Sequence, residues 1–264
     1  MSQLGVEGFR AERAAILDIA HSLGNEEWNA PSDCDGWAIR DVIAHMGSIL
    51  HGVVDPSVMP DLTAGTEKSM EAPVAERRAR PIADVIDEYE TFSGQAADAF
   101  AALQEPPLAD TPLPMGELGT HPMSMIASTF LFDAYCHLRN DILAPNGSVV
   151  RPEPPRDEER LRPTVEWMMA GLPWMCSDKL GFLDRPVALR IEGPGSGAWT
   201  IHPRGGEAMV VVAEGAASDA AASVTSNDHD FVAWGTKRRP WRDFTNVTGD
   251  EQLAARVLDA IKII

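Results

Sequence analysis

Long apolar runs are missing. No stretch approaches the ~20 uninterrupted apolar residues that a membrane span needs, so no transmembrane segment is expected. Cysteine is scarce: Cys34, Cys136 and Cys176 lie far apart, are odd in number and form no CxxC pair. That pattern speaks against a disulfide framework and for free thiols in a reducing cytoplasm. Basic residues are outnumbered. Lys and Arg total 22 against 40 Asp and Glu, a formal net charge of −18. Binding a phosphate backbone needs a concentrated basic surface, so no nucleic-acid partner is expected. The one basic cluster, TKRRPWR from Thr236 to Arg242, is short and reads as a local anion site or a solvated corner. The opening MSQLGVEGFRAERAAIL becomes charged too early for a secretory signal, which makes the cytoplasm the expected compartment.

What is present describes an ordinary globular chain of two parts. At 264 residues it exceeds what one core usually fills, so two domains are the expectation. The first half reads as helices. Apolar positions Phe9, Ile16, Ile19 and Leu23 recur with helical spacing before Gly24. A Pro/Ser/Asp/Gly turn, NAPSDCDG, precedes a helix over about 38–53, in which Ile39, Val42, Ile43, Met46 and Leu50 share one side. A charged, loop-like region runs through Arg80, then a helix over about 82–103, a Pro-rich loop, and a strongly apolar helix over about 123–143. Four long helices joined by loops suggest a bundle. The segment APNGSVVRPEPPRDEERLRP reads as a linker or crossover. After it come a short Met/Trp-rich helix and the strand-like runs PVALRIEG, GAWTIHP, EAMVVVAEG and ASVTSN, with a hairpin at PGSG. Two helices, DHDFVAWGT and DEQLAARVLDAIKII, close the chain. This half reads as α+β, mostly antiparallel strands with helices on one face. Trp167, Met168, Met169, Trp174 and Met175 pack a core or wall an apolar pocket.

The chemistry concentrates in FDAYCHLRND, Phe132 to Asp141, inside the most apolar helix. A buried polar group without a partner costs a few kcal/mol, and an ionised one more, so these groups need an answer. A helix turns ~100° per residue, so Asp133 and His137, four apart, lie on one strip. The i, i+4 spacing lets one helix offer two ligands to one ion, as HExxH helices do. A third ligand has to come from elsewhere, and His45, at the edge of the apolar face of the second helix, is placed to supply it. Spacing alone leaves two readings open. One is a metal site; the other is an intrahelical Asp133–His137 ion pair with His45 bonded to a carbonyl. Cys136, one residue off the strip, is a small buried hydrophobe or a fourth ligand, and Asp141 orients a ligand or caps a solvated helix end.

The residues also carry a resemblance. WNAPSDCDGWAIRDVIAHMGSI, DAYCHLRNDI and the tail from Val187 to Trp241 together resemble the mycothiol-dependent maleylpyruvate isomerase family over most of the chain. The resemblance implies an α+β chain: residues 1–150 as a DinB-like four-helix bundle and 151–264 as a sterol-carrier-protein-like α/β sandwich of antiparallel strands and helices. It implies a divalent metal, usually zinc, on His45, Asp133 and His137, with Asp133 standing where the family usually has Glu. Aspartate is one methylene shorter, so an ion would sit differently or bind more weakly. Asp141 would orient His137 or another ligand of this metal. The implied activity is transfer or isomerisation through a metal-bound thiolate, the thiol being mycothiol and the partner a small electrophile; thiolate is the reactive form and zinc favours it. A C-terminal arginine near a Trp-containing segment, best matched by Arg238, is implied for an anionic substrate. Two alternatives stay open at this point: a small-molecule binding protein with a vestigial metal site, and a metal-dependent enzyme that does not use mycothiol.

Overall fold

Apolar periodicity in the first half becomes helix in the computed structural model, which describes residues 2–204 and 210–264. The chain divides into two compact units, Met1–Gly116 with Thr120–Pro155, and Glu117–Gly119 with Arg156–Ile264. In the first unit the helices are α1 (Ser2–Ser22), α2 (Asn25–Trp28), α3 (Ile39–Val54), α4 (Thr66–Ser69), α5 (Glu71–Arg77), α6 (Ile82–Ala102) and α7 (Ile126–Cys136). Helix α3 packs along α6, and α1 along α6 and α7. Their apolar stripes bury Phe9, Ile16, Val42, Ile43, Met46, Val85, Tyr89, Phe100 and Leu131 in one core. Phe9 meets Phe100 edge-on with ring centroids 5.3 Å apart. Gly47 of α3 faces the Tyr89 backbone of α6, where an added Cβ would make ordinary van der Waals contact at 3.4 Å.

Three features of this unit differ from the sequence expectation. The charged stretch before Arg80 is not a loop: it folds into α4 and α5, and α5 buries Val74 and Arg77. Its buried face contains an arginine, so the apolar period that marks a helix is absent. The Pro-rich loop holds a short antiparallel pair, β1 (Pro112–Pro114) with β2 (Thr120–Pro122). The apolar helix does not continue as α-helix to residue 143. After α7 it widens into a π-helical turn, His137–Ile142, where the Leu143 N–H reaches back to Leu138 O at 2.9 Å. Such turns cluster at functional sites. Here the turn is anchored to α1 by a fully buried Arg139–Glu12 ion pair, and the Arg139 guanidinium lies 3.9 Å from the centre of the Tyr135 ring.

The second unit starts with α8 (Glu158–Cys176), which is longer than expected. Asp157 caps it by accepting the Arg160 N–H at 3.2 Å, with Glu158 and Glu159 in the first turn. The charges that read as linker are therefore a helix start. Trp167, Met168 and Met169 are buried in its core, whereas Trp174 is exposed. Strands β3 (Val187–Glu192), β4 (Gly197–His202), β5 (Val211–Glu214), β6 (Ala222–Asn227) and β7 (Thr245–Gly249) form one sheet, with α9 (Asp228–Gly235) between β6 and β7 and α10 (Glu251–Ala260) after them. The start of EAMVVVAEG, residues 207–209, lies outside the described residues.

The strand order is β5-β4-β3-β6-β7. Every pairing is antiparallel except β3 with β6, which is parallel with Val187 opposite Ala222. The β3–β4–β5 meander ends on one edge, and the chain then returns to the free side of β3, so β6 runs alongside it. Strand β7 separates the two closing helices, which the sequence places in succession. Val247 is its one apolar side chain, so it carries no alternating pattern. Two members of the basic cluster, Lys237 and Arg242, are taken up by contacts within the second unit. Lys237 Nζ donates to Leu258 O and Asp259 O at 3.0 Å each, satisfying carbonyls at the C-terminal end of α10. Arg242 stacks on Trp241 and pairs with Asp259.

Candidate metal centre

Helix α3 carries His45, the end of α7 carries Asp133, and the π turn begins with His137. The structure brings these three together. Asp133 Oδ1 lies 3.5 Å from His45 Nε2 and 3.4 Å from His137 Nε2. The two imidazole rings meet edge-on with centroids 4.9 Å apart, and the three ligand atoms lie within 4.8 Å of one another. Both rings are buried, at 11% side-chain exposure, while Asp133 keeps 28%, so the cluster opens on its carboxylate side. Trp37 flanks His45 with ring centroids 5.4 Å apart, and its Nε1–H is fixed by Glu71 at 2.9 Å.

These spacings suit an ion better than a proton. An N–H···O bond is about 2.9–3.0 Å long, shorter than either contact to Asp133. A tetrahedral ion with bonds of about 2.0–2.2 Å would hold its ligand atoms about 3.4 Å apart, the separation found here. Aspartate therefore reaches both imidazoles despite its short arm. The donor set, two imidazoles and one carboxylate, suits zinc and its neighbours and leaves room for a fourth ligand.

Electrostatics point the same way. Burial opposes ionisation of Asp133, but attraction to His137 and polar contacts with His137 and His45 outweigh it, holding the carboxyl well below the usual carboxylate range. Burial likewise disfavours a His137 cation, yet Asp133, Asp141 and the Cys34 thiol raise its pKa well above the ordinary value. A site that attracts a proton this strongly has a negative potential that also attracts a metal cation.

Asp141 is fully buried on the far side of His137, with Oδ2 2.7 Å from Nδ1. We assign the proton to Nδ1 from this bond, which leaves the Nε2 lone pair facing His45 and Asp133. His45 has no such support, because its buried Nδ1 lacks a hydrogen-bond partner among the described residues. Arg238 belongs to the second unit; its N–H donates to Ala233 O at 3.0 Å, closing the turn after α9, and its side chain is half-buried. Cys136 is buried 3.8 Å from Asn140 Nδ2. The sequence reading gave Cys34 no role. The structure places its Sγ 3.9 Å from His137 Nδ1, a pairing across 103 residues that no local spacing could reveal.

No curated protein matches the chain by sequence. Among the solved structures that share its fold are two with a TM-score of 0.57, with 94% of this chain aligned to 93% of theirs. They are the mycothiol-dependent maleylpyruvate isomerase, at 12% identity, and a histidine-to-alanine mutant of it, at 13%. Residues 9–139, which hold His45, Asp133 and His137, match the family model described as the mycothiol maleylpyruvate isomerase N-terminal domain. By that domain, the chain belongs to the mycothiol maleylpyruvate isomerase family.

Proposed function

We propose that the chain is a divalent-metal-dependent thiol transferase or isomerase that uses mycothiol against a small electrophilic substrate. The observation that carries this reading is the pair of 3.4 and 3.5 Å separations around Asp133 Oδ1, which match ligands of one ion. Zinc is the ion we assign. When bound, it would supply the positive charge that favours the thiolate form of a small thiol, the nucleophile that an activated alkene or epoxide requires.

The chain's own residues set the terms of that chemistry. Asp141 fixes the His137 ring and its tautomer, and so aims Nε2. Asp133 contributes the negative charge and, as the more exposed ligand, marks the side from which small molecules enter. Trp37 gives His45 an apolar neighbour that keeps water from one side of the ring. Arg238 is assigned to an anionic group of the substrate, so Arg238→Ala should raise KM. The same reading treats 1–150 and 151–264 as separate domains of a cytoplasmic enzyme. No helix among the described residues is long and apolar enough to cross a membrane.

The test is direct. Protein, mycothiol and an activated alkene or epoxide are incubated, and mass spectrometry looks for the thioether adduct or the isomerised product. Conversion is expected with the zinc-loaded protein and lost on chelation and in His137→Ala. Conversion that survives chelation would remove the metal from the account. A zinc-loaded protein inert toward every electrophile would favour a binding role instead.

A further inference from the structure

His137 has a second face, and its surroundings are organised. The turn between α2 and α3 is closed by Ser32 N–H to Trp37 O at 2.9 Å and Trp37 N–H to Cys34 O at 3.0 Å. The Ser32 hydroxyl accepts the Cys34 N–H at 3.1 Å. The turn is tied to the π-helical segment by Asp33 N–H donating to Asp141 O at 3.0 Å. Backbone hydrogen bonds thus hold the Cys34 thiol over the Nδ1 edge of His137. Cys34 Sγ, His137 Nδ1 and an Asp141 carboxylate oxygen lie within 4.8 Å of one another.

We propose that Cys34, His137 and Asp141 form a second cation position, on the opposite nitrogen of the ring from the first, for a thiophilic divalent ion. A tetrahedral ion with S and N bonds of about 2.3 and 2.0–2.1 Å sets those atoms about 3.6 Å apart, and Sγ already stands 3.9 Å from Nδ1. The Asp141–Nδ1 contact of 2.7 Å must open by about 0.7 Å as the ion replaces the proton between them. Filling the position releases the Cys34 proton to solvent, and the imidazole stays neutral by carrying its one proton on Nε2 while Nδ1 binds the ion. Cys34 is half-exposed and gives the ion an entry path, while Asp141 closes the inner side. A neutral imidazole serves one ion through one nitrogen, so the two positions fill alternately and a soft ion shifts the balance toward sulfur. This assignment shares His137 with the first position but does not require that position to be filled.

Cadmium is the probe, and its sulfur-to-metal charge-transfer absorption in the ultraviolet is the readout. The full chain is titrated as wild type, His45→Ala, Cys34→Ser and the double variant, with circular dichroism to verify folding. We expect the band in wild type and in His45→Ala, its loss in Cys34→Ser, and loss of both band and bound cadmium in the double variant. A band that survives Cys34→Ser, or cadmium bound to wild type and His45→Ala without a band, would overturn the proposal. Failure of the first position reads out separately, as Cys34→Ser protein that binds no zinc while the band in His45→Ala persists.

Discussion

Two carboxylates of the first unit, one shielded and one half-buried, show what a complete cluster looks like and what an incomplete one looks like. Glu88 on α6 is gripped by Arg77 Nε and Nη2 at 2.7 and 2.6 Å, by Arg80 at 3.1 Å and by His51 at 3.1 Å. Burial opposes its charge, but these partners outweigh burial and keep its pKa below the ordinary value. Asp133 also faces two nitrogens, yet neither comes within 3.4 Å. The first cluster is closed by direct, charge-assisted hydrogen bonds and holds α5 against α6. The second leaves a gap of the size of an ion. Buried charge alone does not mark a site; the spacing between the charges does.

The largest expected effect tests the closed cluster. Glu88→Ala strands the buried Arg77 guanidinium and should cost roughly 3–5 kcal/mol of stability, read by urea unfolding, while zinc stoichiometry stays unchanged. A cost near zero would mean that the two carboxylates do not differ as described. Next in size, Asp141→Ala releases His137 Nδ1 and should weaken zinc binding by roughly 10–100-fold in a calorimetric titration. Unchanged affinity would strip Asp141 of its orienting role.

The pH response separates the two partners of the open cluster, His137 and Asp133, by sign. In metal-free protein, the raised His137 pKa contributes stability that is complete below the unfolded value of about 6.5 and lost as pH rises through the folded pKa. The lowered Asp133 pKa contributes above the unfolded value of about 3.9 and is lost only as pH falls through the folded pKa. The metal-free pair is thus fully effective between about pH 4 and 6.5. Zinc needs an unprotonated Nε2, so the Tm gained on adding zinc should widen as pH rises above that window. A zinc-induced gain that shrinks with rising pH would contradict the ligand assignment. The smallest effect is Arg80→Ala. Its half-exposed guanidinium touches the same carboxylate as Arg77 and should cost about 1 kcal/mol or less in urea unfolding.

Legibility in the sequence followed periodicity. Helices α3 and α6 and strand β3 announce themselves because most of their buried positions are apolar, and β4 and β6 because strand-forming residues stand between turn signals. Helix α5 hides because Arg77 replaces an apolar residue on its inner face, and β7 because Val247 is its one apolar side chain. The π turn has no sequence mark at all: it is fixed by Arg139 meeting Glu12, 127 residues away. Within the site, Asp133 and His137 were readable from i, i+4 spacing and His45 from the edge of an apolar face. Cys34 was not, since its turn meets the π segment through backbone bonds that leave no residue pattern.

The most direct measurement is anomalous diffraction at the zinc edge from crystals of the chain grown with zinc. The account predicts a peak at about 2.0–2.2 Å from His45 Nε2, Asp133 Oδ1 and His137 Nε2 together. Density at none of these three atoms, with zinc present in excess and the imidazoles turned apart, would contradict it.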